Sequence, residues 1–232
     1  MMIRRYLLAG LFVIVLGSAD IANAAKPVKV PETRFDGCGL PIRDGLDGQW
    51  YDTVKIGNQC WMAQNLNVGA MILGADNQTI ADGIEKYCYG NFEENCFSEG
   101  GLYQWDEMMD YSTTEGVQGI CPTGWHVPTD DEWKTLEMAL GMTQVNADNP
   151  GWRDTNQGTQ LKSGGGSGFQ ALLAGRRFTE GSFINRGASA FFWSSTESGS
   201  SAWHRDLNAI EARVYRSTLN KASGFSVRCV KD

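Results

Sequence analysis

Histidine is nearly absent from this 232-residue chain, which carries only His126 and His204. No Cys-x-x-Cys pair occurs, and no Cys/His set has the spacing of zinc ligands, so the six cysteines do not read as a metal or redox site. Basic residues are outnumbered: 20 Lys and Arg stand against 27 Asp and Glu, a net charge of −7. That balance argues against a nucleic-acid partner, whose affinity rests on basic patches. Long helical patterns are few, and no serine or cysteine stands in a nucleophile elbow. The run Gly164-Gly165-Gly166-Ser167-Gly168 lacks the lysine and hydroxyl that follow a phosphate loop, with Phe169 in their place. It reads as a flexible connection or a close backbone approach.

What is present at the start is an export signal. Arg4 and Arg5 precede an apolar run from Tyr6 to Leu16, and Ala22-Asn23-Ala24 forms a cleavage site. The apolar run is too short for a comfortable membrane span, and no cysteine follows it to carry a lipid. Residues 1–24 are therefore expected to be a Sec-type signal peptide. The protein is expected to be secreted, periplasmic or on the cell surface, with no stable membrane span after cleavage. Residues 25–44, with Pro27, Pro31 and Pro41, read as an extended arm, and residues 45–232 as one domain large enough for a real core. An even number of cysteines behind a signal implies disulfides. Cys88 and Cys96, close in sequence around a turn-rich segment, are expected to pair.

The chain is organised around 119–140, GICPTGWHVPTDDEWKTLEMAL. Pro128 ends an extended run through Trp125, because the residue before proline avoids the helical region. Thr129 and Glu132 make a T-x-x-E capping box, and Asp130 and Asp131 sit in the first turn, where the helix dipole favours negative charge. Trp133, Leu136 and Leu140 share one helical face, and Gly141 supplies the stop. Around this helix, 49–56 and 59–66 read as a hairpin across Gly57-Asn58. Residues 104–111 read as a short helix, and 169–178 and 188–194 as strands, the second buried on both faces. Residues 201–207, 212–217 and 225–230 complete a C-terminal meander. Residues 68–86 and 142–160 read as irregular.

Several of these segments resemble a known family. GWHVPTDDEW preceded by Cys121, with DGQWYDTVKIGNQCWMAQNLN, YCYGNFEENC, GGLYQWDEMM, WSSTE and the terminal SVRCVKD, looks like the Fibrobacter succinogenes major paralogous domain. Its G-W-x-x-P-T-x-x-E-W core, here Trp125, Pro128, Thr129, Glu132 and Trp133, also resembles the C-type-lectin-like fold of formylglycine-generating enzymes. The likeness implies a loop-rich, disulfide-stabilised α+β domain with antiparallel strands and two short helices. It also implies a Cys121–Cys229 bridge, as in lectin-like domains, which leaves Cys38 with Cys60. The enzymes hold copper between two cysteines, whereas every cysteine here has a disulfide partner in view. Sugar-binding motifs of calcium-dependent lectins, E-P-N, Q-P-D and W-N-D, are missing from this sequence.

The expected function is an exported, non-enzymatic binding module recognising polysaccharide or a surface protein. The alternatives are an interaction module of an extracellular assembly, and an oxidase or hydrolase on the same fold. Tryptophan faces can stack on sugar rings. Trp152 is the first candidate because it lies in the polar segment, and Trp203 is the second. No cofactor is assigned. If calcium binds, the oxygens of Asp148 and Asp154 are the candidates, although no EF-hand register is present. His204 and Asp206 share a strand face and can orient a base, but with no nucleophile beside them no catalytic residue is assigned.

Overall fold

The computed structural model describes residues 37–80 and 83–232. The signal segment and most of the arm lie outside the described residues. The elements are short. In order they are β1 (Ile42–Arg43), β2 (Trp50–Tyr51), β3 (Thr53–Ile56), β4 (Gln59–Met62), β5 (Ala70–Ile72), β6 (Glu85–Tyr87), α1 (Glu93–Glu99), α2 (Trp105–Met108), β7 (Trp125–His126) and α3 (Asp130–Ala139). Then come α4 (Gln144–Asp148), β8 (Gly151–Arg153), α5 (Gln157–Leu161), β9 (Ala174–Arg177), β10 (Phe183–Arg186), β11 (Ser189–Ser198), β12 (Ser201–Asn208), β13 (Val214–Asn220) and β14 (Val230–Lys231). The main sheet has six strands in the order β10-β9-β11-β12-β13-β8, and a second has four, β3-β4-β14-β7. Pairing is mostly antiparallel; β9–β11 and β5–β6 are parallel.

Local chemistry sets the central helix. Thr129 Oγ1 accepts from the Glu132 backbone N–H at 3.1 Å while Glu132 Oε2 accepts from the Thr129 N–H at 2.8 Å, the reciprocal box that satisfies two orphan donors. Glu132 also bonds His126 Nε2 at 2.8 Å, and His126 Nδ1 meets Asp232 at 2.6 Å. The helix thereby gathers β7 and the last residue. Gly141 follows at φ +100°, a left-handed stop that suits glycine.

Two aromatic clusters fill the core on opposite faces of the main sheet. Trp61, Trp133, Phe169 and Phe192 pack at centroid separations of 4.8 to 5.8 Å under α3. Trp193 stacks on Phe225 at 4.1 Å on the other face. The buried indole N–H groups find acceptors: Trp105 on the Ser194 carbonyl, Trp133 on that of Trp193, and Trp193 on that of Tyr103. Such pairing lets tryptophan be buried without loss.

The first turn of α3 is more than a dipole feature. Asp130 is buried and accepts from Arg205 Nη1 at 2.7 Å and Arg216 Nη2 at 2.6 Å. Glu137, two turns on, takes Arg205 Nε at 2.6 Å and a two-pronged contact from Arg153 at 2.7 and 2.8 Å. Burial pushes the Asp130 carboxyl up, but the two guanidiniums outweigh it and hold it well below the usual carboxylate range.

Three disulfides join Cys38 to Cys60, Cys88 to Cys96 and Cys121 to Cys229. Several expectations need correction. There are five short α-helices among the described residues, not two. Residues 68–86 contain the parallel pair β5–β6, and 142–160 contain α4, β8 and α5. These pieces span three to five residues, too few for a periodic signal; α4 is betrayed only by its Thr143 cap. Of 169–178 only Ala174–Arg177 is strand. The final segment leaves the meander, and β14 pairs with β4 and β7 in the second sheet. The end of the expected arm belongs to the domain, since β1 pairs with β2 and Ile42 joins the core.

Two outcomes are expected. Asp130→Asn leaves the buried Arg216 without an ion-pair partner and Arg205 with Glu137 alone, and should cost about 3–5 kcal/mol in chemical denaturation. Because the native carboxyl titrates below its ordinary 3.8, that contribution is full above about pH 4 and fades as pH falls through the native value, so the two proteins converge in strong acid. Replacing Cys121 and Cys229 together by serine should cost more than replacing Cys38 and Cys60, about 4.8 against about 3.4 kcal/mol in the chain-entropy model. Equal losses in parallel melts would contradict that ranking.

Candidate functional site

The network on α3 decides which side of the main sheet is closed. Side chains two residues apart share a face. On β12, Trp203, Arg205 and Leu207 point to the α3 side, while His204 and Asp206 point away. On β13, Arg216 reaches α3, and Tyr215 and Ser217 point away. The register pairs Phe191 with Asp206, Asp206 with Tyr215, and Tyr215 with Trp152. Ala190 pairs with Gly175, which sets Arg176 beside Phe191. One row therefore crosses five adjacent strands: Arg176, Phe191, Asp206, Tyr215 and Trp152. Four strand spacings make it about 19 Å long.

This row floors a recess of about 390 Å³, with Asn185, His204 and Ser217 also on its walls. At one end the rings of Trp152 and Tyr215 lie 5.0 Å apart. At the other, the Arg176 guanidinium lies over Phe178 and Phe191 at 4.4 and 4.9 Å. His204 is 4% exposed and sits among the rings of Phe191, Trp193, Tyr215 and Phe225. Three buried polar atoms here, Arg176 Nε, His204 Nδ1 and Asp206 Oδ1, have no hydrogen-bond partner among the described residues. Buried polar atoms are normally paired, so three in one recess mark a place where a ligand or solvent completes the bonding.

The electrostatics follow from burial. Burial pushes His204 down to about 3, with the Arg205 and Arg176 charges adding to the shift, so the imidazole is neutral at pH 7. Burial pushes Asp206 up to about 6, opposed by Arg176 and by a hydrogen bond from Ser189. Burial also lowers Arg176, with Asp206 and Glu180 opposing it. His204 and Asp206 share the face read from the sequence but do not bond to each other. The pairing expected of a carboxylate-oriented base is not formed.

The other candidates are spread out. Trp152 lies on edge strand β8, not in a loop, and in the recess. Trp203 lies on the opposite face beneath the Arg216 guanidinium, at 3.7 Å. Asp148 ends α4, accepting from Gln144 and paired with Lys134 at 3.1 Å. Asp154 follows β8 at φ +60°. No group of three or more His, Cys, Asp or Glu side chains placed to hold a metal occurs among the described residues. All six cysteines are bridged, so none is a thiolate ligand for copper. Trp125, Pro128, Thr129, Glu132 and Trp133 build the helix entry and the core. Arg176, Phe191 and Tyr215 were missed as site residues. The available signal was Arg176-Arg177: strand alternation sends one arginine to each face, and Arg177 is consumed by the carbonyls of Gly74, Asp76 and Ala222.

These features define a disulfide-bridged α+β domain with one closed and one recessed sheet face. The chain belongs to the Fibrobacter succinogenes major domain family, whose model matches residues 54–231, from β3 into β14. No curated protein and no solved structure matches it.

Asp206→Asn should stabilise the domain at pH 7.5, by on the order of 1–2 kcal/mol, because it removes a half-buried charge whose Oδ1 has no hydrogen-bond partner among the described residues. The native value is raised to about 6, so protonation favours the folded state and stability falls as pH rises between the unfolded and folded values. The gain should therefore shrink as pH falls below about 6 and vanish only below the ordinary value of 3.8. Melts from about pH 3.5 to pH 8 check this; a destabilised variant at pH 7.5 would show that Asp206 is held by contacts other than these.

Proposed function

We propose that this is an exported, non-enzymatic binding module that recognises polysaccharide at the cell surface or in the periplasm, on a C-type-lectin-like fold. The observation that carries the reading is the recess itself. A half-buried aromatic pair and unpartnered polar atoms line one elongated depression, and saccharides offer apolar ring faces for the first and hydroxyls for the second. The lectin-like reading of the fold is supported by the tryptophan-proline-helix core and by the Cys121–Cys229 bridge to the segment preceding β14. Export is supported by the sequence signal and by three disulfides in a chain without free thiols. Recognition in this reading needs no calcium, because the recess offers the single carboxylate of Asp206 and a hard cation wants several oxygens.

A second reading, an interaction module of an extracellular assembly, is favoured by Leu40, Leu46 and Trp50. These side chains are 61%, 60% and 63% exposed on and before the β1–β2 pair.

The test is a glycan and polysaccharide screen, run with calcium and with chelator. A specific hit is expected in both conditions. It should weaken roughly tenfold in Trp152→Ala, about 1.4 kcal/mol of stacking, and persist in Trp203→Ala. Binding that depends on Trp203 and ignores Trp152 would sink the recess as the site. No hit in either condition would move the function to the β1–β2 surface.

A further inference from the structure

We infer that the ligand is an acidic oligosaccharide lying across the strands, with a sugar ring on Trp152 and Tyr215 and a carboxylate on Arg176. This rests on the saccharide reading and specifies its chemistry. Every other described arginine donates hydrogen bonds. Arg153, Arg205 and Arg216 meet Asp130 or Glu137. Arg43, Arg177 and Arg228 donate to backbone carbonyls, and Arg186 and Arg213 meet Glu99 and Glu211. Arg176 alone among the described arginines has only aromatic faces, Phe178 and Phe191, and its Nε is buried without a partner.

A guanidinium resting on rings keeps its N–H edge for a ligand, and that planar fork matches a carboxylate two-pronged. Asp206 and Glu180 act on it through space, but neither bonds its N–H edge; Phe191 stands between Arg176 and Asp206 in the row. Asp206 Oδ1 and His204 Nδ1 are placed mid-row instead, where sugar hydroxyls would meet them; His204 is 4% exposed and its free nitrogen lines the recess. A neutral saccharide satisfies the aromatic end and the middle but offers the Arg176 N–H edge no charged acceptor. With a net charge of −7, the chain does not attract an acidic polymer at long range, so any preference for one must arise in contact.

The experiment is calorimetric titration of the full chain with oligogalacturonate and alginate oligosaccharides, each against its carboxyl-reduced counterpart. The expected result is at least tenfold tighter binding of one acidic form. Arg176→Gln should bring the acidic and reduced forms to one affinity, and Arg176→Lys should retain part of the preference. Trp152→Ala should weaken both forms alike. Thermal melts of the variants should stay near that of the parent, since Arg176 carries no bond in the fold. Equal affinity for acidic and reduced forms in the parent, or a preference that survives in Arg176→Gln, would overturn the inference while leaving saccharide binding intact. Absence of binding to any oligosaccharide, neutral or acidic, would overturn both.

Discussion

Two carboxylates on one helix, Asp130 and Glu137, hold three arginines from three strands of the main sheet, and the arrangement of the domain depends on that contact. Arg153 comes from β8, Arg205 from β12 and Arg216 from β13. All five side chains are buried, where an unpaired charge costs several kcal/mol. Each guanidinium therefore fixes the position of its strand relative to α3. An apolar helix face alone would tolerate sliding; short, directional ion pairs do not. The network does not make the fold more stable than a hydrophobic equivalent would. What it supplies is a single register between helix and sheet, and with it a fixed assignment of faces.

That assignment produces the recess. Strand alternation places Arg205 and Arg216 against α3, and so forces His204, Asp206, Tyr215 and Ser217 to the other side. Part of that side is covered by Trp193 stacked on Phe225. The remainder, toward β8 and β9, forms the recess among the described residues, and there Arg176 Nε, His204 Nδ1 and Asp206 Oδ1 go unpaired. The contrast between the faces is informative. On the closed face, Asp130 is held ionised by two guanidiniums that outweigh its burial. On the open face, burial dominates and raises Asp206. The same residue type, on two sides of one sheet, is thus stabilising in one place and held at a cost in the other. A charge held at a cost is the pattern of a functional position.

Legibility in the sequence tracked the length of the local signal. The ten-residue α3, with its capping box, apolar spacing and glycine stop, could be read almost to its ends. The β3–β4 hairpin is legible at its turn, because Gly57-Asn58 is a two-residue turn between alternating segments, but each strand is four residues where eight are expected, and Trp50–Tyr51 pairs with β1 instead. The apolar 188–194 gives β11 as a buried central strand, four residues short of its end at Ser198. Among the segments of three to five residues, those with a local mark are legible, α2 and the β3–β4 hairpin, while β5, β6, α4, β8 and α5 read as irregular. The site suffered from the same limit. Trp152 stood out for its polar surroundings, although it is an edge-strand residue. Its partners Tyr215, Asp206 and Arg176 come from strands separated by long stretches of chain, and only the register joins them. Asp130 was credited to the helix dipole because nothing local announces an arginine 75 or 86 residues away.

The same register accounts for the shape of the recess. A binding surface built from one loop presents neighbours in sequence; one built across strands presents a line of side chains at fixed spacing. Here the line is held at both ends by different physics. Trp152 is half-buried on β8, an edge strand with no further strand paired beyond it among the described residues. Arg176 is half-buried on β9, next to the opposite edge strand β10, whose Ile184 pairs with it. The paired centre of the sheet carries Asp206 and His204, while its two margins supply the aromatic and cationic ends. In the proposed saccharide reading, polar groups set between those ends suit a long ligand better than a compact one, because each added unit meets a group already in place.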